Sequence, residues 1–440
     1  MEYIKLINEK VLWGIPMTFC ILAVGIYLMI VTRAAIFVHF GYMLKNTVFT
    51  LFKRKDSTDG ITPFAAVSTA LAATVGTGNI AGVALAVRLG GPGAIFWMWV
   101  SGFVGMVIKY TEVTLAVKYR QKTSSGYIGG PMYYMRDGLS AKKMPYIFCF
   151  FAILSSFGIG NMVQANAFAS GANAIFDISP QVSGIILAVC CFLVLSGGIK
   201  RISSVSEIVV PLMAFVYIAA AFMVLIVNAD RIPECFMLIV KSAFSPCAGV
   251  GGFAGATAVY AARIGISRGL FTNEAGLGSA PIAHASADAK DPVNQGLWGA
   301  FEVFFDTIIM CSMTAFVIII SGVWKSDCNN AYLAHAAFSD NIPNGGYIVS
   351  LGLVMFAFAS VIAWYYYGES CAEFLLGKKY AAFYKIAYVA ACYVGCICEI
   401  TFIWEAADTL NAFMMLPNLT ALVFLGKEAG QITRKYFKKL

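Results

Sequence analysis

Apolar runs of about 20 residues, the length a helix needs to cross hydrocarbon, recur from one end of the chain to the other. Read between charged or turn-rich interruptions, they predict eleven helical spans, at about 14–36, 63–88, 93–117, 144–173, 181–198, 204–227, 250–286, 294–322, 346–368, 380–399 and 402–424. Runs this long exclude a strand barrel, whose segments alternate over about ten residues. Their recurrence excludes a single cleaved leader peptide. The pattern is that of an all-α polytopic membrane protein.

Composition agrees. The 440 residues are 60% hydrophobic and 12% charged, with a mean hydropathy of +0.77, against about 25% charged in soluble domains; so little charge cannot cover a water-facing surface. Most of the 12 cysteines sit inside apolar runs, such as Cys190-Cys191 and Cys396-Ile397-Cys398, and read as small core residues. With only three histidines and no zinc-type spacing, neither a structural metal nor a cofactor is expected. The formal charge of +8 lies in short clusters between spans, which is topology and not a nucleic-acid footprint.

Those clusters orient the chain. Lys45, Lys53, Arg54 and Lys55, the basic residues from Lys118 to Lys143, then Lys200, Arg201, Lys290, Lys378, Lys379, Lys385 and the basic C-terminal end share one side. The other side holds Lys5, Lys10, Arg88, Arg231, Lys241 and Lys325. The positive-inside rule then puts the C-terminus in the cytoplasm and the N-terminus outside, in a multi-pass protein of the cytoplasmic membrane.

Two spans carry chemistry. The second contains Gly76-Thr77-Gly78-Asn79-Ile80-Ala81-Gly82, and the seventh contains Gly269 to Ser279 followed by Pro281. Glycines and polar residues at that depth weaken a helix, and unwound backbone is tolerated there only where protein buries it or it lines a cavity. Close packing through small residues explains the glycines, but neither Asn79 nor the Thr272-Asn273-Glu274 run. The second and seventh spans are five apart in the order, an odd offset, so they enter the membrane in opposite directions, as in an inverted repeat. Each break offers free N–H groups to a carboxylate and free carbonyls to a cation. A zwitterionic amino acid and a sodium ion would satisfy both.

At these residues the sequence resembles the alanine or glycine:cation symporter family. The matching stretches are Gly76 to Gly82, Gly129-Gly130-Pro131-Met132-Tyr133-Tyr134, Gly160 to Asn166, Arg268 to Ser279 and Trp364-Tyr365-Tyr366-Tyr367-Gly368-Glu369. The resemblance implies the five-plus-five inverted repeat of the neurotransmitter:sodium symporters behind one extra helix (about 14–36). The repeats would cover about 62–228 and 250–424, and a cytoplasmic tail 425–440. It implies a substrate carboxylate at the amides around Thr77, Gly78 and Asn79, and substrate polar atoms at Gln164. Phe271, Thr272, Asn273 and Gly276 would line the pocket, and Trp364 would limit its size. Alanine and glycine are then the expected cargo. For sodium it implies oxygens of Ala72, Val75, Phe356 and Ser360. Where the family has two adjacent hydroxyl residues, this chain has Ala359-Ser360, so Ser360 alone supplies a side-chain oxygen.

Ionisable residues within spans are costly, about 2.5 to 3.5 kcal/mol each at the bilayer centre. Glu274, in the second break, is a candidate coupling or gate residue, or else a brace for unwound N–H groups. Glu302 and Asp306, one turn apart, are expected near the cytoplasmic end of the eighth span, paired with loop lysines or arginines. Arg263 and Arg268 are candidates for a gate ion pair with Glu274 or Asp408, or for snorkelling. His284 reads as a polar helix-end residue. No nucleophile–base pair marks an enzyme, no nucleotide loop marks a pump, and nothing asks for an obligate protein partner. The leading function is sodium-coupled symport. The alternatives are proton coupling through Glu274, a channel, or a sensor that binds without transporting.

Overall fold

The computed structural model describes residues 8–50, 60–124, 126–244, 258–326, 330–399 and 401–439. Lys5, Lys53, Arg54, Lys55, the side chain of Lys10 and the first part of the predicted seventh span (250–257) lie outside them. Among the described residues, seven helices are long and apolar enough to cross a membrane: Gly93–Lys118, Met144–Phe176, Gly198–Val227, Pro292–Ser321, Gly345–Leu376, Lys378–Ile397 and Phe402–Phe437. The bent pair Pro63–Thr74 and Gly78–Gly90 makes an eighth, and Ile15–Val31 and Pro180–Leu195 are shorter apolar helices. The predicted seventh span appears as Ala258–Asn273 and Ala280–Ala285, separated by residues 274–279. Its polarity keeps it out of a purely apolar count.

Burial separates a core from a periphery. Of the apolar stretch in Gly93–Lys118, 89% is buried against protein, compared with 33% in Lys378–Ile397. The former can therefore carry Lys109 and Glu112 fully enclosed, and the latter turns Phe383 and Ile386 outward. The stretch expected as a tail from residue 425 forms the last turns of helix Thr401–Phe437. Those turns pack on the N-terminal helices, where the Tyr42 and Tyr436 hydroxyls lie 2.7 Å apart. Gln121–Thr123 pairs antiparallel with Gly126–Ile128 in a two-stranded sheet.

The two broken helices run in opposite directions. The chain just before Pro63 pairs with the chain just after Ala285: Asp288 N donates to Ile61 O at 2.8 Å, and Ile61 N to Ser286 O at 3.3 Å. Thr62 caps the first helix by accepting from Ala65 N at 3.0 Å, with Pro63 supplying the preset φ of a first helical turn.

Candidate functional site

The first break is short. Helix Pro63–Thr74 ends on Val75, whose ψ of 92° leaves the helical region, and the chain resumes as a wide π-helical turn, Gly78–Gly82. The two halves are bent by 50°. Asn79 stitches this bend: its Oδ1 accepts from Gly76 N at 2.9 Å, and its Nδ2 donates to Asp306 Oδ1 at 2.7 Å. The Ser360 hydroxyl, on Gly345–Leu376, donates to Ala72 O at 2.9 Å.

The second break is longer and reverses handedness repeatedly. Glu274, Gly276 and Gly278 have φ of 53°, 89° and 83°; no helix can pass through such a run. Unwound polar backbone at this depth needs partners, and neighbours supply them. Lys109 Nζ donates to Glu274 O at 3.3 Å, Asn418 Nδ2 to Gly276 O at 2.8 Å, and Ala275 N to Asn273 Oδ1 at 3.0 Å. The Glu274 carboxyl accepts from Trp364 Nε1 at 3.0 Å and from Ser279 Oγ at 2.5 Å.

The breaks meet. A Cβ added at Gly78 would lie 2.8 Å from Thr272 Cγ2, so only glycine lets the two backbones approach this closely. Asp306 bridges them from helix Pro292–Ser321, holding Asn79 on one side. On the other it accepts from Thr307 Oγ1 at 2.9 Å, and Thr307 in turn accepts from Asn273 Nδ2 at 3.1 Å.

Of the residues expected to bind substrate, Thr77, Gly78, Gln164 and Thr272 come together at this crossing. Thr77 Oγ1 and Gln164 Oε1 are buried without a hydrogen-bond partner, and Gln164 Oε1 approaches Gly76. Asn79 and Asn273 are present, with side chains committed to the frame. Phe271 stacks on Trp404 at 5.3 Å under Arg268, toward the contact in which Arg268 pairs with Asp408 at 3.7 Å. Gly276 lies instead against Leu419 and Asn418 of the last helix. Phe356 turns its ring onto Tyr217, so any contribution it makes to an ion comes from its carbonyl. Trp364 sits between Glu274 and Gly160.

One expectation is corrected. Glu302 and Asp306 do not pair with loop cations: Glu302 meets Lys109 of the buried third helix at 3.6 Å, with both side chains fully enclosed, and Asp306 joins the two breaks. His284 is the polar helix-end residue expected, in the last turn of Ala280–Ala285. It is buried, with Nε2 2.9 Å from Glu302 Oε2 and Nδ1 2.8 Å from Gln295 Nε2. Arg268 with Asp408 realises one of the two gate pairings considered. The residues missed as partners, Lys109, Glu112 and Asn418, were visible in the sequence as polar positions inside apolar runs; the Glu112 carboxyl bonds to Asn418.

Comparison with known proteins gives one consistent answer. The family described as the sodium:alanine symporter family matches residues 1–440. The sodium/alanine symporter AgcS of Methanococcus maripaludis is 42% identical over 443 residues, covering 97% of this chain and 95% of that protein. An uncharacterized transporter of Haemophilus influenzae is 39% identical, covering 98% and 95%. The crystal structure of MhsT in complex with L-phenylalanine shares the fold, with a TM-score of 0.60 over 84% of this chain and 90% of that one at 15% identity.

Proposed function

The chain belongs to the sodium:alanine symporter family, and on that footing we propose that it carries small neutral amino acids, alanine and glycine first, across the cytoplasmic membrane together with sodium. The observation that carries this reading is the crossing of two interrupted helices at their breaks, Gly78 on Thr272, beside two buried oxygens that lack partners, Thr77 Oγ1 and Gln164 Oε1. In a dry interior such atoms are costly unless a ligand answers them.

On this reading the two shorter apolar helices and the polar broken one complete eleven spans, with the N-terminus outside and two five-helix repeats of opposite orientation. The substrate carboxylate lies at the amides around Thr77, Gly78 and Asn79, where the second half-helix starts and its dipole favours an anion. Gln164 takes a polar atom of the substrate, while Thr272, Phe271 and Trp364 bound the space. Sodium takes Ser360 Oγ with the carbonyls of Ala72, Val75 and Phe356, replacing the hydrogen bond between Ser360 and Ala72. Rocking of the helices around the crossing then exposes the pair to either side in turn.

Uptake of labelled alanine and glycine into proteoliposomes tests the proposal. An inward sodium gradient is expected to accelerate it; no gradient-dependent uptake of alanine, glycine or serine rejects it. Uptake driven by a pH gradient alone would select proton coupling instead. The hydrogen bonds already made by both oxygens of Glu274 favour a bracing role for that residue.

A further inference from the structure

Glu274 occupies a left-handed conformation, φ 53°, which a residue with a side chain adopts at a cost of about 1–3 kcal/mol and keeps only where its surroundings fix it. Glycine would occupy the position without strain, as Gly276 and Gly278 do. A carboxyl-bearing residue here is therefore present for its side chain. That side chain is buried and has two partners, Ser279 Oγ from its own break and Trp364 Nε1 from Gly345–Leu376.

Trp364 is the largest side chain near the crossing and is buried. One face of it meets Gly160, where an added Cβ would lie 2.7 Å from Trp364 Cδ2 and closer still to Cβ and Cγ. Gly160 lies in the π-helical turn Gly158–Met162, one turn before Gln164, and Trp364 lies one turn after Ser360. The indole is thus wedged between the second break and the helix that carries Gln164, beside both proposed ligand sites. A buried indole N–H needs an acceptor, and Glu274 Oε1 supplies it. Without that acceptor nothing in the ring's polar chemistry holds it against Gly160.

We propose that Glu274 is a positioning residue for substrate size: its carboxyl pins the Trp364 indole against Gly160, and the pinned ring sets the largest side chain the pocket admits. The inference rests on the symport reading above and adds the residue that sets its cargo. Glu274 touches no substrate. Its effect passes through the ring, so an amide in place of the carboxyl preserves it, because the amide oxygen still accepts from the indole.

The test is competition of unlabelled alanine, valine, methionine and leucine against labelled alanine uptake, in proteoliposomes of the unmodified protein and of Glu274→Gln, Glu274→Ala, Glu274→Gly and Trp364→Phe. Trp364→Phe removes the N–H together with part of the ring, so it reports how far the ring itself sets the limit; Glu274→Gly, which removes the acceptor and suits the left-handed turn, decides the matter if Glu274→Ala does not fold. Expected are the unmodified size profile for Glu274→Gln, and a gain of about tenfold or more in leucine and methionine competition relative to alanine for the others, the scale of discrimination a hydrophobic pocket commands. Combining Glu274→Ala with Trp364→Phe should add little to either alone. The inference is overturned if Trp364→Phe leaves the profile unchanged, or if Glu274→Gln broadens it as much as Glu274→Ala. Absent alanine uptake by the unmodified protein sinks both this and the symport reading; normal uptake with an unshifted profile in the variants sinks this inference alone.

Discussion

The two breaks that cross at the centre of this protein are built in opposite ways. The first is a brief kink around residues 75–77, with no left-handed residue, held by single bonds from Asn79 and Ser360. The second, 274–279, has left-handed residues at alternate positions, and its polar groups are held by Lys109, Asn418, Ser279 and Trp364, drawn from three other helices and its own chain. The partnerless oxygens Thr77 Oγ1 and Gln164 Oε1 lie at the first. An unwound segment can thus be a frame or a receptor, and its hydrogen-bond accounting tells which. On the symport reading, the second break is the frame and the first is where a ligand has something to supply.

The largest effect expected from breaking this contrast comes from the frame. Lys109→Met leaves Glu302 enclosed without its cation, a change that costs about 3–5 kcal/mol where a buried pair loses one partner. The melting temperature of the purified protein in detergent should fall sharply, and the double variant Lys109→Met with Glu302→Met should recover much of the loss. A double variant as unstable as the single one would remove the pair from the account.

A smaller effect is expected at the crossing itself. Gly78→Ala drives a methyl into Thr272 Cγ2 and should lower initial alanine uptake about tenfold, in line with overpacking of about 1–3 kcal/mol. Adding Thr272→Ser removes that methyl and should restore part of the rate; no recovery would mean that the two breaks do not act on each other through this contact. Smaller again is the effect expected at the pair of Arg268 and Asp408, whose charged atoms lie 3.7 Å apart, beyond the reach of a direct hydrogen bond. Asp408→Asn should change the uptake rate by no more than about fivefold, and a total loss would show that this ion pair does more than close one side.

The same contrast explains what could be read from the sequence. Both breaks were legible because glycines and polar residues interrupt an otherwise apolar period, a local signal. Their antiparallel relation followed from counting spans between them. The frame was not legible, because its bonds join residues far apart in the chain: Lys109 to Glu302, Glu112 to Asn418, Asn79 to Asp306. Hydropathy gives a residue's depth only coarsely, so Asp306, expected near a helix end, lies instead beside Asn79, and His284, legible only as a polar helix-end residue, has buried partners in Glu302 and Gln295. The helix from Thr401 continues to Phe437 although its last turns carry Lys427, Glu428, Arg434 and Lys435, because one face of those turns packs on the first helices.

If a ligand completes the first break beside an ion that favours its binding, each raises the affinity of the other by the same factor. The most direct test is equilibrium binding of labelled alanine to the purified protein in sodium and in potassium at equal ionic strength. The account predicts at least about tenfold tighter binding in sodium, with most of that gain lost in Ser360→Ala. Equal affinity in the two salts, or a sodium effect untouched by Ser360→Ala, would contradict it.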